Sequence, residues 1–258
     1  MMTSVTIKAF PATKYAVVFA LLATPNTNTD AYFTAIATLF SLFPSLADSG
    51  ISAYTDIAPN FNASSFQIPF LVHGFRATFQ LPLVHPENTT SSLLAAINST
   101  FLQATNSVDP SVTWIQSLTP TEYPDFYAHF KDNNGPENGG ENVILGSRLL
   151  DRKALTADKA ALRKAFIGAA ESGYITAHLI SGPGVHNTSA IPGGNSVSPA
   201  WRKAYVHASM FSSVVSSFFS FPHSLTGDIA EYRLNSTRGH FSTFLTHHPS
   251  SKTRPPNQ

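Results

Sequence analysis

The stretch Phe75-Arg76-Ala77-Thr78-Phe79-Gln80-Leu81 alternates without a break, with Phe75, Ala77, Phe79 and Leu81 on one side and Arg76, Thr78 and Gln80 on the other. A period of two is that of a strand with one buried and one polar face. Working outward, the same alternation marks Thr3 to Phe10, closed by Pro11, then Ile51 to Ile57, Tyr174 to Ile180 and Ala200 to Ala208. Tyr15 to Leu22 is almost wholly apolar and reads as a strand buried on both faces. Val112 to Leu118 and Asn142 to Leu149 complete the strand candidates.

Three helices fall between them. Phe33, Ile36, Ala37 and Phe40 form the stripe of the first, with Asp30 as cap and Pro44 and Gly50 as its end. Leu93, Leu94, Ile97, Phe101 and Leu102 form the second, which Thr90 or Ser91 would cap. The third starts at Thr156, shows Leu162, Phe166, Ala169 and Ala170 on one face, and stops at Ser172-Gly173. Two strands followed by a helix is the recurring unit. It predicts an α+β fold, an antiparallel sheet with helices packed on one face, in preference to a doubly wound parallel sheet.

Composition narrows the function. The 258 residues are 43% hydrophobic and only 12% charged, with 16 Lys and Arg against 15 Asp and Glu. A net charge of +1 without a basic cluster speaks against nucleic acid as a partner, because neutralising phosphates requires concentrated cations. With no cysteine, disulfides, thiolate metal sites and cysteine nucleophiles are excluded. No run reaches the roughly 18 apolar residues of a membrane span. Lys8 and Lys14 ahead of Ala16 to Ala23 imitate a short signal peptide, but no small-x-small cleavage site follows, and a buried strand is the better reading. Sequons at Asn62, Asn88, Asn98, Asn187 and Asn235 hint at secretion, so secreted and cytoplasmic locations both stay open. Phosphate-binding glycine loops, H-E-x-x-H and G-x-S-x-G are all missing, and His247-His248 are wrongly spaced for a metal pair on extended chain.

If helices cover one face of the sheet, the other receives Arg76, Thr78 and Gln80, then Tyr174, Thr176 and His178, then Trp201, Lys203, Tyr205 and His207, with Ser52, Tyr54 and Asp56 joining them. Such a face suits a polar, aromatic ligand: indole and phenol rings stack on flat molecules, and Tyr and His move protons. A solvated sheet face carries the same residue types.

At these residues the chain resembles a known family. The blocks Val143-Ile144-Leu145-Gly146-Ser147-Arg148-Leu149-Leu150-Asp151, Ser181-Gly182-Pro183-Gly184-Val185 and Asn195 to His207, containing Ser198-Pro199-Ala200-Trp201-Arg202-Lys203-Ala204-Tyr205-Val206-His207, look like the substrate-side domain of fungal FAD-linked oxidoreductases related to berberine bridge enzyme. The resemblance spans roughly residues 3 to 208. It implies a flavoprotein oxidase of secondary metabolism in which FAD lies between a separate binding domain and an antiparallel sheet that forms the substrate pocket. It implies Tyr205 as first and His207 as second candidate for proton transfer, with Trp201, Lys203, Tyr174, His178, Arg76 and Gln80 binding a small-molecule metabolite. Nothing here resembles that family's flavin-binding domain or its C-terminal segment. The expectation is therefore a truncated enzyme: residues 1–208 as the substrate-binding α+β domain, 209–258 as a divergent, poorly ordered tail, and FAD supplied with a separate flavin-binding chain. The alternatives are a non-redox metabolite-binding or pericyclase-like module, or an inactive fragment. Arg148 and Asp151, at the end of a matching block, read as a surface ion pair.

Overall fold

The computed structural model describes residues 4, 11–64, 68–133, 143–171, 173–188 and 197–213. The strand expected at Thr3 to Phe10 and, from residue 214 onward, the expected tail lie outside the described residues.

The elements in order are β1 (Tyr15–Pro25), α1 (Thr29–Asp48), β2 (Ser52–Asn62), β3 (Leu71–Pro82), α2 (Thr90–Thr105), β4 (Ile115–Tyr123), α3 (Phe126–Asn133), β5 (Val143–Asp151), α4 (Arg152–Thr156), α5 (Lys159–Ala170), β6 (Ile175–Leu179), α6 (Pro183–His186) and β7 (Ala204–Ser213). The strands form one sheet in the order β4-β1-β3-β2-β6-β7-β5, antiparallel throughout. The fold class is α+β, as the strand and helix pattern predicts. Its first six elements trace β-α-β-β-α-β, which places β3 between β1 and β2 and returns β4 to the outer edge of β1.

The alternation of β3 builds the core. Phe75, Ala77, Phe79 and Leu81 face the helices together with Ala16, Val18, Ala20 and Leu22 of β1 and Ala53 and Ile57 of β2. Helix α1 lies between α2 and α5 and contributes Tyr32, Ile36, Leu39, Phe40 and Phe43, all fully buried. Its rings interlock with those of its neighbours: Phe40 stands 4.8 Å from Phe166 of α5 and 6.1 Å from Phe75 of β3, which in turn stands 6.0 Å from Phe101 of α2. At roughly 2–3 kcal/mol for each large apolar side chain buried, this cluster supplies most of what stabilises the fold. The segment Asn26–Asp48 is apolar and long enough to cross a membrane by length and composition, but its apolar residues are those that pack on the sheet.

Several local features differ from the sequence reading. Helix α1 runs through Pro44 to Asp48, because its buried face is held on both sides and outweighs one lost hydrogen bond. It ends where Ile51 N–H returns to Leu46 O and Gly50 adopts φ 83°, a left-handed stop. The cap of α2 is Thr89, whose hydroxyl accepts from Ser92 N–H (3.0 Å) while Ser92 Oγ accepts from Thr89 N–H (2.9 Å). The third predicted helix divides into α4, capped by Asp151, and α5, capped by Asp158. Asp151 accepts from Ala154 N–H at 2.8 Å, so its role at the strand end is that of a cap. β2 continues past Ile57 over Pro59 at the expense of its register, which shifts between Ala58 and Phe61 where Asn60 takes φ 52°. Trp201 lies on a short 3₁₀ turn, Pro199–Arg202, and strand pairing begins only at Ala204 and runs to Ser213.

The face turned away from α1 is not open along its whole width. At the β4–β1 end α3 closes it: Phe126 packs at a tilt, 5.6 Å from Tyr15, and His129 likewise, 5.0 Å from Tyr123. His129 is buried there, and burial holds its imidazole below the usual value. The part left accessible lies over the middle of β3 and β2 and over β6 and β7, where Tyr54 is exposed.

Candidate active site

Register brings the polar residues of that face into rows. Arg76 stands opposite Asp56, which in turn stands opposite Thr176 and next to the row of Ser209. Thr78 pairs with Tyr54 and Gln80 with Ser52, while His178 directly faces His207. Direct partners in an antiparallel ladder point to one side, with side chains within about 5.5 Å.

The centre is an ion pair. Arg76 donates from Nε to Asp56 Oδ2 at 2.8 Å and from Nη2 to the same oxygen, and both side chains are largely buried. Arg76 Nη2 also approaches the Tyr174 hydroxyl at 3.5 Å. Burial works against the Arg76 charge, but Asp56 and Tyr174 overcome it and its pKa is raised. The Tyr174 hydroxyl is pushed far up, first by burial and then by the Asp56 carboxylate, with Arg76 opposing. Tyr174 therefore keeps its proton and serves as a hydrogen-bonding group rather than a base.

Beside this pair run four rings. His178 lies edge-on to Tyr54 at 5.0 Å, and His207 lies 5.1 Å from Trp201. Thr55 N–H donates to His178 Nδ1 at 3.1 Å, which requires the neutral tautomer protonated at Nε2. Burial holds the His178 imidazole below its usual value; Asp56 opposes this and His207 adds to it. Ser209 Oγ reaches His207 Nε2 at 3.5 Å. Tyr54 is 60% exposed, so a flat molecule approaching this face meets its ring without displacing other side chains.

Of the residues selected from the sequence, Arg76, Tyr174, His178, Trp201 and His207 meet on this face. Gln80 is oriented the same way but is only 5% exposed, and Lys203 lies exposed at the rim before β7. Tyr205 does not join them. β5 pairs Leu150 with Val206 but Asp151 with Ala204, which leaves Tyr205 as the extra residue of a bulge. A bulge interrupts the alternation from which Tyr205 and His207 were expected to share a face. The Tyr205 side chain belongs instead to the helix-side core, where its hydroxyl donates to Asp48 Oδ1 at the end of α1 (3.0 Å) and accepts from Arg152 Nη2 at the start of α4 (2.6 Å). Asp48, Arg152 and the Thr55 amide were not selected from sequence, since helix packing brings the first two to these positions and cross-strand register the third.

Among the described residues no group of three or more His, Cys, Asp or Glu is arranged to hold a metal ion, and His247 and His248 lie outside those residues.

No family model matches the chain. Over 211 residues it is 28% identical to an uncharacterized FAD-linked oxidoreductase of Arthroderma benhamiae, a match that takes in 80% of this chain and 34% of that protein. Among solved structures, a VAO-type flavoprotein from Myceliophthora thermophila C1 superposes with a TM-score of 0.62 at 22% identity, over 79% of this chain and 35% of that one. The chain thus has the fold of part of a VAO-type flavoprotein. In sequence it is similar to a fungal FAD-linked oxidoreductase, and it spans about a third of the length of that relative.

Proposed function

We propose that the uncovered face of β3, β2, β6 and β7 is the substrate wall of an FAD-linked oxidoreductase that oxidises a flat, hydroxyl-bearing metabolite of secondary metabolism. The observation that carries this reading is the row Tyr54, His178, His207 and Trp201 beside the Arg76–Asp56 pair, on the face turned away from α1 in a sheet with a flavoprotein fold.

The residues present fit the cofactor in part. Tyr54, Trp201 and the two imidazoles suit the edge of a flat ring system. Among the described residues the one glycine-rich turn that opens a helix, Gly182 to Gly184, leads only into the four-residue α6, too short to offer a diphosphate a helix N-terminus. FAD is therefore held chiefly by a flavin-binding domain, in a longer protein or in a separate chain. When bound, a flavin supplies the acceptor for a hydride.

This chain's residues then divide the remaining work. Trp201 and Tyr54 take the faces of the substrate ring, where stacking contributes about 1 kcal/mol each. Tyr174, which keeps its proton, hydrogen-bonds a substrate oxygen, and Lys203 lies at the rim to meet its polar periphery. His207 Nε2 would take the proton of a substrate hydroxyl, the proton that must be released when C–O becomes C=O and the hydride of the neighbouring C–H goes to the acceptor a flavin would supply. His178, with its proton fixed on Nε2, adds no second positive charge beside His207. The Arg76–Asp56 pair fixes Tyr174.

The test is reconstitution of the chain with a flavin-binding domain from the Arthroderma benhamiae relative and comparison of His207→Gln with the parent. Loss of 10²-fold or more in kcat with a smaller change in KM is expected, the usual scale for a general base. Unchanged turnover would remove His207 from the reaction.

A further inference from the structure

Tyr205 stands two residues from His207, yet its ring is engaged on the other side of the sheet. Asp48, Arg152, His186 and Ile180 meet around it. Its hydroxyl lies between Asp48 and Arg152, which also pair with each other. The Arg152 guanidinium carbon is 4.9 Å from the ring centroid, and His186 packs edge-on at 4.4 Å. The backbone on both sides is held as well: His186 Nε2 bonds Ala204 O at 2.9 Å, and Ile180 N–H donates to Tyr205 O at 3.0 Å. The end of α1, the start of α4, the last residue of α6 and the residue after β6 thus converge on one bulged residue.

The bulge has a geometric consequence on the opposite face. An unbulged strand would carry Tyr205 beside His207 and direct the preceding residues along the strand axis. With the extra residue at 205 the chain bends before Ala204, and the 3₁₀ turn Pro199–Arg202 brings the Trp201 indole to 5.1 Å from the His207 ring. A buried tyrosine ring whose hydroxyl gives one hydrogen bond to a carboxylate and takes one from a guanidinium is a directional anchor.

We propose that Tyr205 is a positioning residue: its hydroxyl, held by Asp48 and Arg152, maintains the bulge that sets Trp201 against His207. The reading of His207 as proton acceptor gives this device its purpose, but the geometry and its test do not require a flavin.

The chain contains two tryptophans, so Trp114→Phe leaves Trp201 as the sole indole emitter. In that background His207→Gln, which removes an imidazole in ring contact, is expected to raise Trp201 emission. Tyr205→Phe, which keeps the ring and deletes the two hydroxyl bonds, is expected to raise emission similarly, and the double variant to add little, because both changes relieve the same contact. Arg152→Gln should reproduce the effect from the other side of the anchor, and it decides the matter if Tyr205→Phe does not fold. Parent-like Trp201 emission in the folded variants, with an undiminished response to His207→Gln, would overturn the proposal even if their melting temperatures fall. Loss of oxidase activity alone would bear on the function and not on this anchor.

Discussion

At the scale of single residues, three imidazoles contribute to the pH behaviour of the fold near neutrality. His73 bonds Asn26 O at 3.0 Å and Thr29 Oγ1 at 2.9 Å through Nε2, accepts from Asn60 N–H at 3.3 Å, and stacks 5.0 Å from Tyr32. Its pKa is lowered by burial, as are those of His129 and His178. A histidine whose folded pKa is depressed binds fewer protons in the folded state than in the unfolded state. Its neutral form costs nothing above the unfolded value, and stability falls as pH drops below about 6.5 until the folded imidazole itself is protonated. We expect the melting temperature to decline over that window and to decline less steeply in His178→Gln. A parent-like slope in that variant would mean that His178 does not contribute. All ten histidines were visible in the sequence, but which were buried depended on neighbours tens of residues away.

At the scale of elements, the close approaches decide what periodicity leaves open. Gly182 caps α6 and sits so near the end of α1 that a Cβ there would lie 2.6 Å from Ala47 O. Neither backbone can yield without moving α1, so Gly182→Ala should destabilise the chain by about 1–3 kcal/mol. Thermal unfolding measures this directly, and a melting temperature within error of the parent would show that α6 swings aside. Gly182 lies in one of the blocks from which the family resemblance was read, and its physical reason is this contact. Helix α1 teaches the converse. Pro44 alone predicts a stop, but a helix whose Phe40 and Phe43 are fully buried continues across it. At β7 local alternation failed for one residue, and that residue was the foremost candidate for proton transfer. A bulge adds a residue without changing the apolar pattern around it, so no window of sequence announces it.

At the scale of the whole molecule, the sheet is stable in the middle and exposed at its margins. β1, β3 and β2 pair on both sides and lie beneath the helix layer, whereas β4 and β5 are its outer strands. Amide exchange should be slowest in Val18–Leu22 and Phe75–Phe79, and orders of magnitude faster in β5, where Leu145 is 54% exposed. Uniform protection across the sheet would contradict this gradient. The sequence by itself determined the α+β class, the antiparallel sheet, the helix-facing residues of β3 and the resemblance to FAD-linked oxidoreductases, because periods of two and 3.6 report which side of each element must leave water. Only the tertiary structure decided that Asp56 pairs with Arg76, that His178 faces His207, and that Tyr205 turns to the helix side. Those relations depend on register and on a bulge, which are set where distant segments meet and leave no trace in the local pattern.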